Sequence, residues 1–304
     1  MASNRRRLGV ALVLDRPLAD EIDGLRRAVG DPSLARIAPH VTLVPPVNVR
    51  AADLPAALRR LRGAAAALAG PLRLTFGSVS TFLPVNPVLY LAVGGDLEGL
   101  QVLRDSVFEA PLQRHLSWPW VPHLTLADGA AEDRIGAALV ALSDYAAVAE
   151  IDRVALLEEG PGRVWTQLAD AALGRPVRVG TGGLAVELVA GRLLDPELAA
   201  CPGSPTGPEA PLSFVLTAHR EGQPVGTALA WEDRRGPHVA VWVRPEHRRQ
   251  GIGGQLLAHL EVTARRAGWE HPSLQAAGPE GFYRALSGWS VPDRCGDYPN
   301  GTDA

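Results

Sequence analysis

The chain has 304 residues, 46% of them apolar and 21% charged, with a formal net charge of −3. Those figures describe a folded α/β-sized chain of one to three domains, two being expected, and exclude a disordered or collagen-like one. The small net charge argues against broad, non-specific nucleic-acid binding, and two cysteines, Cys201 and Cys295, are too few for a disulfide framework or a metal cluster.

In chain order, residues 8–14 form an apolar run behind three arginines. Asp15 interrupts it and no small-residue cleavage site follows, so it reads as a buried strand rather than a leader. With no apolar run of membrane-spanning length, the protein is expected in the cytoplasm. Residues 17–29 read as a helix, with Pro17 in the first turn and Leu18, Ile22 and Leu25 inward. His40-Val41-Thr42-Leu43 is a short alternating strand, expected to stop at Pro45-Pro46. A helix over 51–68 and a strand over 72–79 follow. The order then repeats: a strand over 88–93, a helix over 97–112, a short strand His123-Leu124-Thr125-Leu126, a helix over 130–148, and strands over 151–157 and 163–168. Strand, helix, His-x-Thr-Leu, helix and strand thus occur twice, which is a duplication of architecture.

After Gly174 the pattern changes. Residues 175–183 read as a joint, which places one domain at 1–174 and a second at 175–304. Residues 184–190 read as a strand or short helix. Residues 201–211 hold four prolines and two glycines and read as a loop. Residues 213–218 and 226–231 read as antiparallel strands joined at Glu221-Gly222-Gln223-Pro224.

The two His-x-Thr-Leu segments stand 83 residues apart, each behind a proline, Pro39 or Pro122. In a strand, residues i and i+2 share a face, so His40 points with Thr42 and His123 with Thr125. One such histidine reads as a satisfied strand residue. Two at matching places of a duplicated architecture read as one groove with two imidazoles, one as base and one as acid, and two hydroxyls for phosphate oxygens. No metal is called for. The chain from Leu8 to about Gly174 resembles the two-histidine (2H) phosphoesterases, the 2′-5′ RNA ligase-like family, and Thr81-Phe82-Leu83-Pro84 before Val88-Leu89-Tyr90-Leu91 resembles that family's midpoint. The resemblance implies a duplicated, two-lobed fold. It also implies hydrolysis of cyclic phosphodiesters, such as RNA 2′,3′-cyclic ends or small cyclic phosphates, or the reverse ligation. His40, Thr42, His123 and Thr125 would be the catalytic set. The rival reading is a nucleotide- or RNA-end-binding module without turnover.

In the second part, Val239 to Val243 is an apolar strand that turns at Arg244-Pro245 into Arg248-Arg249-Gln250-Gly251-Ile252-Gly253-Gly254. A helix begins at once, with Ile252, Leu256, Leu260 and Ala264 on one face and Gly268 as its stop. A strand, a glycine-rich turn and a helix N-terminus make an anion site. The spacing is neither a Rossmann turn nor a P-loop. It resembles the acetyl-CoA loop of the GNAT N-acetyltransferases, Arg/Gln-x-x-Gly-x-Gly/Ala. Downstream, Gly281-Phe282-Tyr283 to Gly288-Trp289 resembles the family's Phe-Tyr-x-x-x-Gly-Phe segment, with Trp289 for Phe and one extra residue before Gly288. The resemblance implies a GNAT fold and acetyl transfer from acetyl-CoA to an unnamed amine. The backbone N–H groups of Gln250, Gly251, Ile252, Gly253 and Gly254 would hold the pyrophosphate, and Arg248 and Arg249 would add charge. Val241 and Val243 would offer backbone groups to the pantetheine arm, and Tyr283 would protonate the leaving thiolate. Glu232, Asp233 and Glu246 are candidate bases, none distinguished. The other histidines carry less weight: His115, His219, His247, His259 and His271 read as surface residues, and His238 starts the strand facing with Ala240 and Trp242, a wall of an acceptor pocket being only the minor alternative for it.

Overall fold

The computed structural model describes residues 5–181, 184–198, 212–234, 236–266, 268–269 and 273–274. The chain divides into two compact units, residues 1–175 and 176–304.

The first unit runs β1 (Arg5–Val13), α1 (Leu18–Val29), β2 (His40–Arg50), α2 (Leu54–Ala66), β3 (Leu72–Thr81), β4 (Val88–Gly95), α3 (Leu97–Val107), β5 (His123–Asp128), α4 (Glu132–Ala141), β6 (Ala146–Ile151), β7 (Arg153–Glu159) and β8 (Trp165–Ala172). Its strands form one sheet in the order β6-β3-β4-β5-β2-β1-β7-β8. That order is balanced about the β5–β2 seam. β3 leaves its own half to pair with β4, and β7 returns to pair with β1. β6 and β7 stand near opposite ends of the order, yet Asp152 alone separates them. One intervening residue spans at most about 7 Å, so the sheet curls until those strands meet.

Alternation along the strands sorts side chains to two faces. Val10, Leu12, Val41, Leu43, Leu91, Leu124, Leu126 and Leu156 are buried in the core, each worth roughly 1.5–3 kcal/mol against exposure. The helices pack as two pairs, α2 with α3 and α1 with α4. The α1 helix ends as its sequence dictates: Gly30 sits at φ 76°, and the Gly30 and Asp31 N–H groups donate to the Arg27 and Arg26 carbonyls.

Three expectations are corrected. β2 does not stop at Pro45-Pro46 but runs on to Arg50. The register slips between Leu8↔Val47 and Val10↔Val44, so the prolines sit in a bulge. β2 meets β5 at Val41↔Leu124, so the missing proline N–H groups are not required there. The helix expected over 130–148 ends at Ala141, and 146–151 forms β6 against β3. Alanine-rich sequence favours a helix, but an open sheet edge outbids that propensity. The single strand expected over 151–157 belongs to β6 at Ile151 and to β7 from Arg153.

The second unit holds β9 (Val177–Val179), β10 (Val186–Gly191), β11 (Leu212–Arg220), β12 (Gln223–Asp233), β13 (Gly236–Val243), α5 (Ile252–Arg266) and β14 (Ser273–Leu274). The sheet order is β14-β13-β12-β11-β10-β9, antiparallel except for β13 with β14. The β11–β12 hairpin turns on Glu221 and Gly222, at φ 52° and 76°, the two positive values of a tight two-residue turn. Ile252, Leu256, Leu257 and Leu260 of α5 pack on Val186, Ala218, Ala228 and Val239. Gly268, at φ 84°, ends the helix, with Trp269 N–H on the Ala264 carbonyl.

Candidate functional site

The seam pair Val41↔Leu124 is antiparallel. One step along each strand therefore sets His40 opposite Thr125, and Thr42 opposite His123. Val41 and Leu124 are 0% exposed, so the four polar side chains share the other face, where all are half-buried. The flanking strands place Ala11 beside Thr42 and Ala92 beside His123. These small residues leave an open floor.

The two imidazoles are held alike. Nδ1 of His40 lies 2.7 Å from the Ala38 carbonyl, and Nδ1 of His123 lies 2.7 Å from the Val121 carbonyl. A carbonyl only accepts, so each Nδ1 carries the proton and each neutral Nε2 keeps its lone pair. Ala38 and Val121 each precede a proline, which keeps them extended and fixes these contacts. Burial pushes His40 down to about 4, against the Ala38 bond and helped by the nearby charges of Arg26 and His123. Burial also lowers His123, against its Val121 bond.

The surroundings differ between the halves. Phe82 and Tyr90 stack at 4.3 Å and present edges to His123 at 5.2 and 5.4 Å. Trp120 donates from Nε1 to the Thr42 carbonyl at 2.9 Å, tying the segment before β5 to β2. On the His40 side, buried Arg26 donates to Asp31, Asp23 and the Ile37 carbonyl at 2.8, 2.8 and 2.9 Å. Asp31 also accepts from Ser33 N–H and Oγ–H. This buried ion pair fixes the 31–39 segment that delivers His40. Beside His40 opens a cleft of about 230 Å³, walled by Thr125, Arg36, Asp128, Arg163 and Trp165 among others. Arg26 and Arg36 carry no local signal in the sequence, because their places depend on long-range packing. Among the described residues, no three His, Cys, Asp or Glu side chains group to hold a metal ion.

In the second unit, β13 ends at Val243 and a short 3-10 turn, Pro245–His247, leads to the loop. Arg249 and Gly251 adopt φ 59° and 79°. Gln255 N–H donates to the Gly251 carbonyl at 3.1 Å, so the N–H groups of Ile252, Gly253 and Gly254 form the open first turn of α5. Arg248 Nε donates to the Val243 carbonyl at 3.0 Å. Gln250 is clamped: its Oε1 accepts from Arg220 Nη1 at 2.6 Å. Val241 and Val243 lie opposite Ala228 and Gly226. At Gly226 a Cβ would come within 2.9 Å of the Trp242 carbonyl, which explains the glycine. His219, expected at the surface, is 3% exposed, with Nε2 3.6 Å from Asp195. Its polar neighbours in sequence disguised a position covered by the 195–198 segment. His238 is also buried, stacked on Trp231 at 5.5 Å. Glu232 and Glu246 are exposed. Tyr283, with Phe282, Gly288 and Trp289, lies outside the described residues. No described helix is long and apolar enough to cross a membrane.

A family description for the 2′-5′ RNA ligase superfamily matches residues 14–163, and one for the acetyltransferase (GNAT) domain matches residues 211–286. A putative phosphoesterase of Halalkalibacterium halodurans is 30% identical over 169 residues, 55% of this chain and 97% of that protein. One from Bacillus cereus is 29% identical over 171 residues, 56% of this chain and 98% of that protein. Among solved structures, E. coli LigT with 3′-AMP aligns at a TM-score of 0.41 and 22% identity, covering 56% of this chain and 98% of that one. The chain belongs to the 2′-5′ RNA ligase superfamily, and joins to that phosphoesterase-like part a GNAT acetyltransferase domain.

Proposed function

We propose that the first unit opens cyclic phosphodiesters, either a 2′,3′-cyclic RNA end or a small cyclic nucleotide, by metal-independent acid–base catalysis. The supporting observation is the matched pair of imidazoles, each with Nδ1 pinned to a carbonyl and Nε2 left for chemistry, each across from a threonine. His40, held neutral by burial and by the charge of Arg26, takes the proton from an attacking water. The new P–O bond forms as the ribose oxygen leaves, and that oxygen receives the Nε2 proton of His123, which acts in its doubly protonated, imidazolium form. Thr42 and Thr125 donate to the non-bridging oxygens. Turnover of a 2′,3′-cyclic nucleotide, followed by phosphorus NMR, tests the reading. Tight binding without turnover would instead mark a nucleotide- or RNA-end-binding module.

The threonines carry a smaller expectation. Thr42→Ala and Thr125→Ala should each cost about 1–3 kcal/mol in kcat/KM, the value of a hydrogen bond to a charged group. Unchanged kinetics in both would remove them from the site.

The second unit's reading is acetyl transfer from acetyl-CoA to an amine. The open amides of Ile252, Gly253 and Gly254, with Gln250 and Gly251 before them, would receive the pyrophosphate. Arg249 stands exposed beside them, and Arg248 would have to leave the Val243 carbonyl to join it. Val241 and Val243 would pair with the pantetheine arm. With Tyr283 as the acid, Tyr283→Phe should lower kcat about 10²-fold while leaving acetyl-CoA binding intact. The assay first needs a screen of amines and peptide N-termini for an acceptor. Full activity would leave Tyr283 a packing residue.

A further inference from the structure

Each half of the first unit buries one arginine on the helix that precedes its histidine strand, at matching places. Arg26 stands three residues before Val29, where α1 ends, and Arg104 three residues before Val107, where α3 ends. Ile22 and Leu100, four residues before each arginine, are buried, and the arginines themselves are 3% and 4% exposed. Burying a guanidinium costs stability unless something compensates it, so two at repeated positions need a common cause.

Both arginines reach the residue three before a site histidine. Arg26 donates to the Ile37 carbonyl at 2.9 Å. The Arg104 guanidinium lies 3.6 Å from the centroid of the Phe108 ring and 5.5 Å from that of Trp120, inside the range of about 6 Å over which a cation is drawn to an aromatic face. Their compensation differs. Asp23 and Asp31 pair with Arg26. Arg104 has the two rings instead, and its Nε has no hydrogen-bond partner among the described residues.

Trp120 carries the contact onward. Its Nε1–H donates to the Thr42 carbonyl at 2.9 Å. The β2–β5 seam holds a single ladder pair, Val41↔Leu124, so this carbonyl, one residue beyond it, takes its donor from a side chain. A path of printed contacts thus runs from α3 through Arg104 and Trp120 to Thr42, which lies across the seam from His123. A cation on an indole face also draws electron density from the ring and makes its N–H a stronger donor. The charge of Arg104 therefore tightens the hold on β2, beyond what its bulk supplies.

We infer that Arg104 is a positioning residue for the two-histidine groove: through the Trp120 indole it fixes the Thr42 backbone, and with it the side chain across from His123. Arg26 does the same for the segment that delivers His40. This rests on the cyclic phosphodiesterase reading above and adds to it two residues that touch no substrate.

Trp120→Phe removes the donor and keeps a ring beside Arg104. With uridine 2′,3′-cyclic phosphate it should lower kcat roughly tenfold and leave KM within about twofold. In a Thr42→Ala chain the same change should cost less than about twofold more, because the side chain it positions is gone. A tryptophan that only stabilises the fold would cost as much in either background. Additive losses therefore overturn the proposal, as does an unchanged kcat in Trp120→Phe. Arg104 is tested without substrate. The Trp120 indole proton, assigned by its absence from the NMR spectrum of Trp120→Phe, should exchange slowly with solvent. Arg104→Met keeps the length of the side chain but removes the charge, and should speed that exchange at least about tenfold. Arg104→Lys keeps the charge but loses the planar stack, and should speed it about threefold. If the methionine variant does not fold, the lysine variant decides, and an unchanged rate in whichever folds overturns the role of Arg104. No turnover by the wild type would end the phosphodiesterase reading separately. Calorimetry of 2′-UMP over the same Thr42–Trp120 cycle would then replace kcat, with additive losses in affinity again overturning the positioning role.

Discussion

His40→Ala and His123→Ala should each lower turnover of a 2′,3′-cyclic phosphate by roughly 10³–10⁴, and the double variant should lose little more. The two imidazoles flank one seam pair, and in the proposed mechanism they act on one phosphate, so removing either leaves the other without its counterpart. The pH profile gives an independent check. The active form needs His40 neutral and His123 protonated. As pH falls through the His40 value, about 4, the base takes a proton and the rate drops. As pH rises through the His123 value, the acid is lost and the rate drops again. Burial lowers His123, so this second limb in kcat/KM should lie below the ordinary imidazole 6.5. The bell should therefore peak on the acidic side of neutrality. His40→Ala should erase the acid limb and His123→Ala the other, and EDTA should leave the rate unchanged. Full activity in either variant, or a rate that needs added metal, would sink the paired acid–base mechanism.

The grouping of the four residues of the candidate site on one face was legible because its signal is local and doubled. Period-two alternation assigns His40 with Thr42 and His123 with Thr125 to one face without knowledge of strand pairing. Pro39 and Pro122 then shape the backbone that fixes both tautomers. What failed was everything set by partners far away in sequence. β6 reads as helix until the edge of β3 is seen to need a strand. Pro45-Pro46 reads as a stop until the bulge against β1 and the single pairing with β5 make the prolines harmless. His219 reads as exposed because Arg220 and Glu221 follow it, yet β10 and the 195–198 segment bury it. The asymmetry of the groove, aromatic at His123 and cationic at His40, belongs to the same class. Phe82 and Tyr90 fall in the stretch that resembles the family's midpoint, but their approach to His123, like that of Arg36 and Arg163 to the cleft beside His40, is set by the fold.

The second unit's loop yields the other large effect. Acetyl-CoA should raise the melting temperature of the native chain. A ligand at a hundred times its Kd contributes about 2.7 kcal/mol to the state that binds it. Gly251→Val should abolish that shift. Gly251 stands at φ 79°, and a Cβ there would meet no protein atom within 4 Å. The space is therefore open on the side where the pyrophosphate would approach, and a branched side chain would occupy it. The backbone would also have to leave a left-handed conformation that valine adopts at a cost of about 1–3 kcal/mol. Gly254→Ala separates the two causes. It lies within the first turn of α5, with free space for its Cβ, and alanine favours a helix by about 0.5–1 kcal/mol. It should raise the melting temperature of the free protein and weaken the acetyl-CoA shift only where the phosphate contacts that amide closely. Retention of the full shift in Gly251→Val, or no shift in the native chain at millimolar acetyl-CoA, would remove the cofactor from this loop.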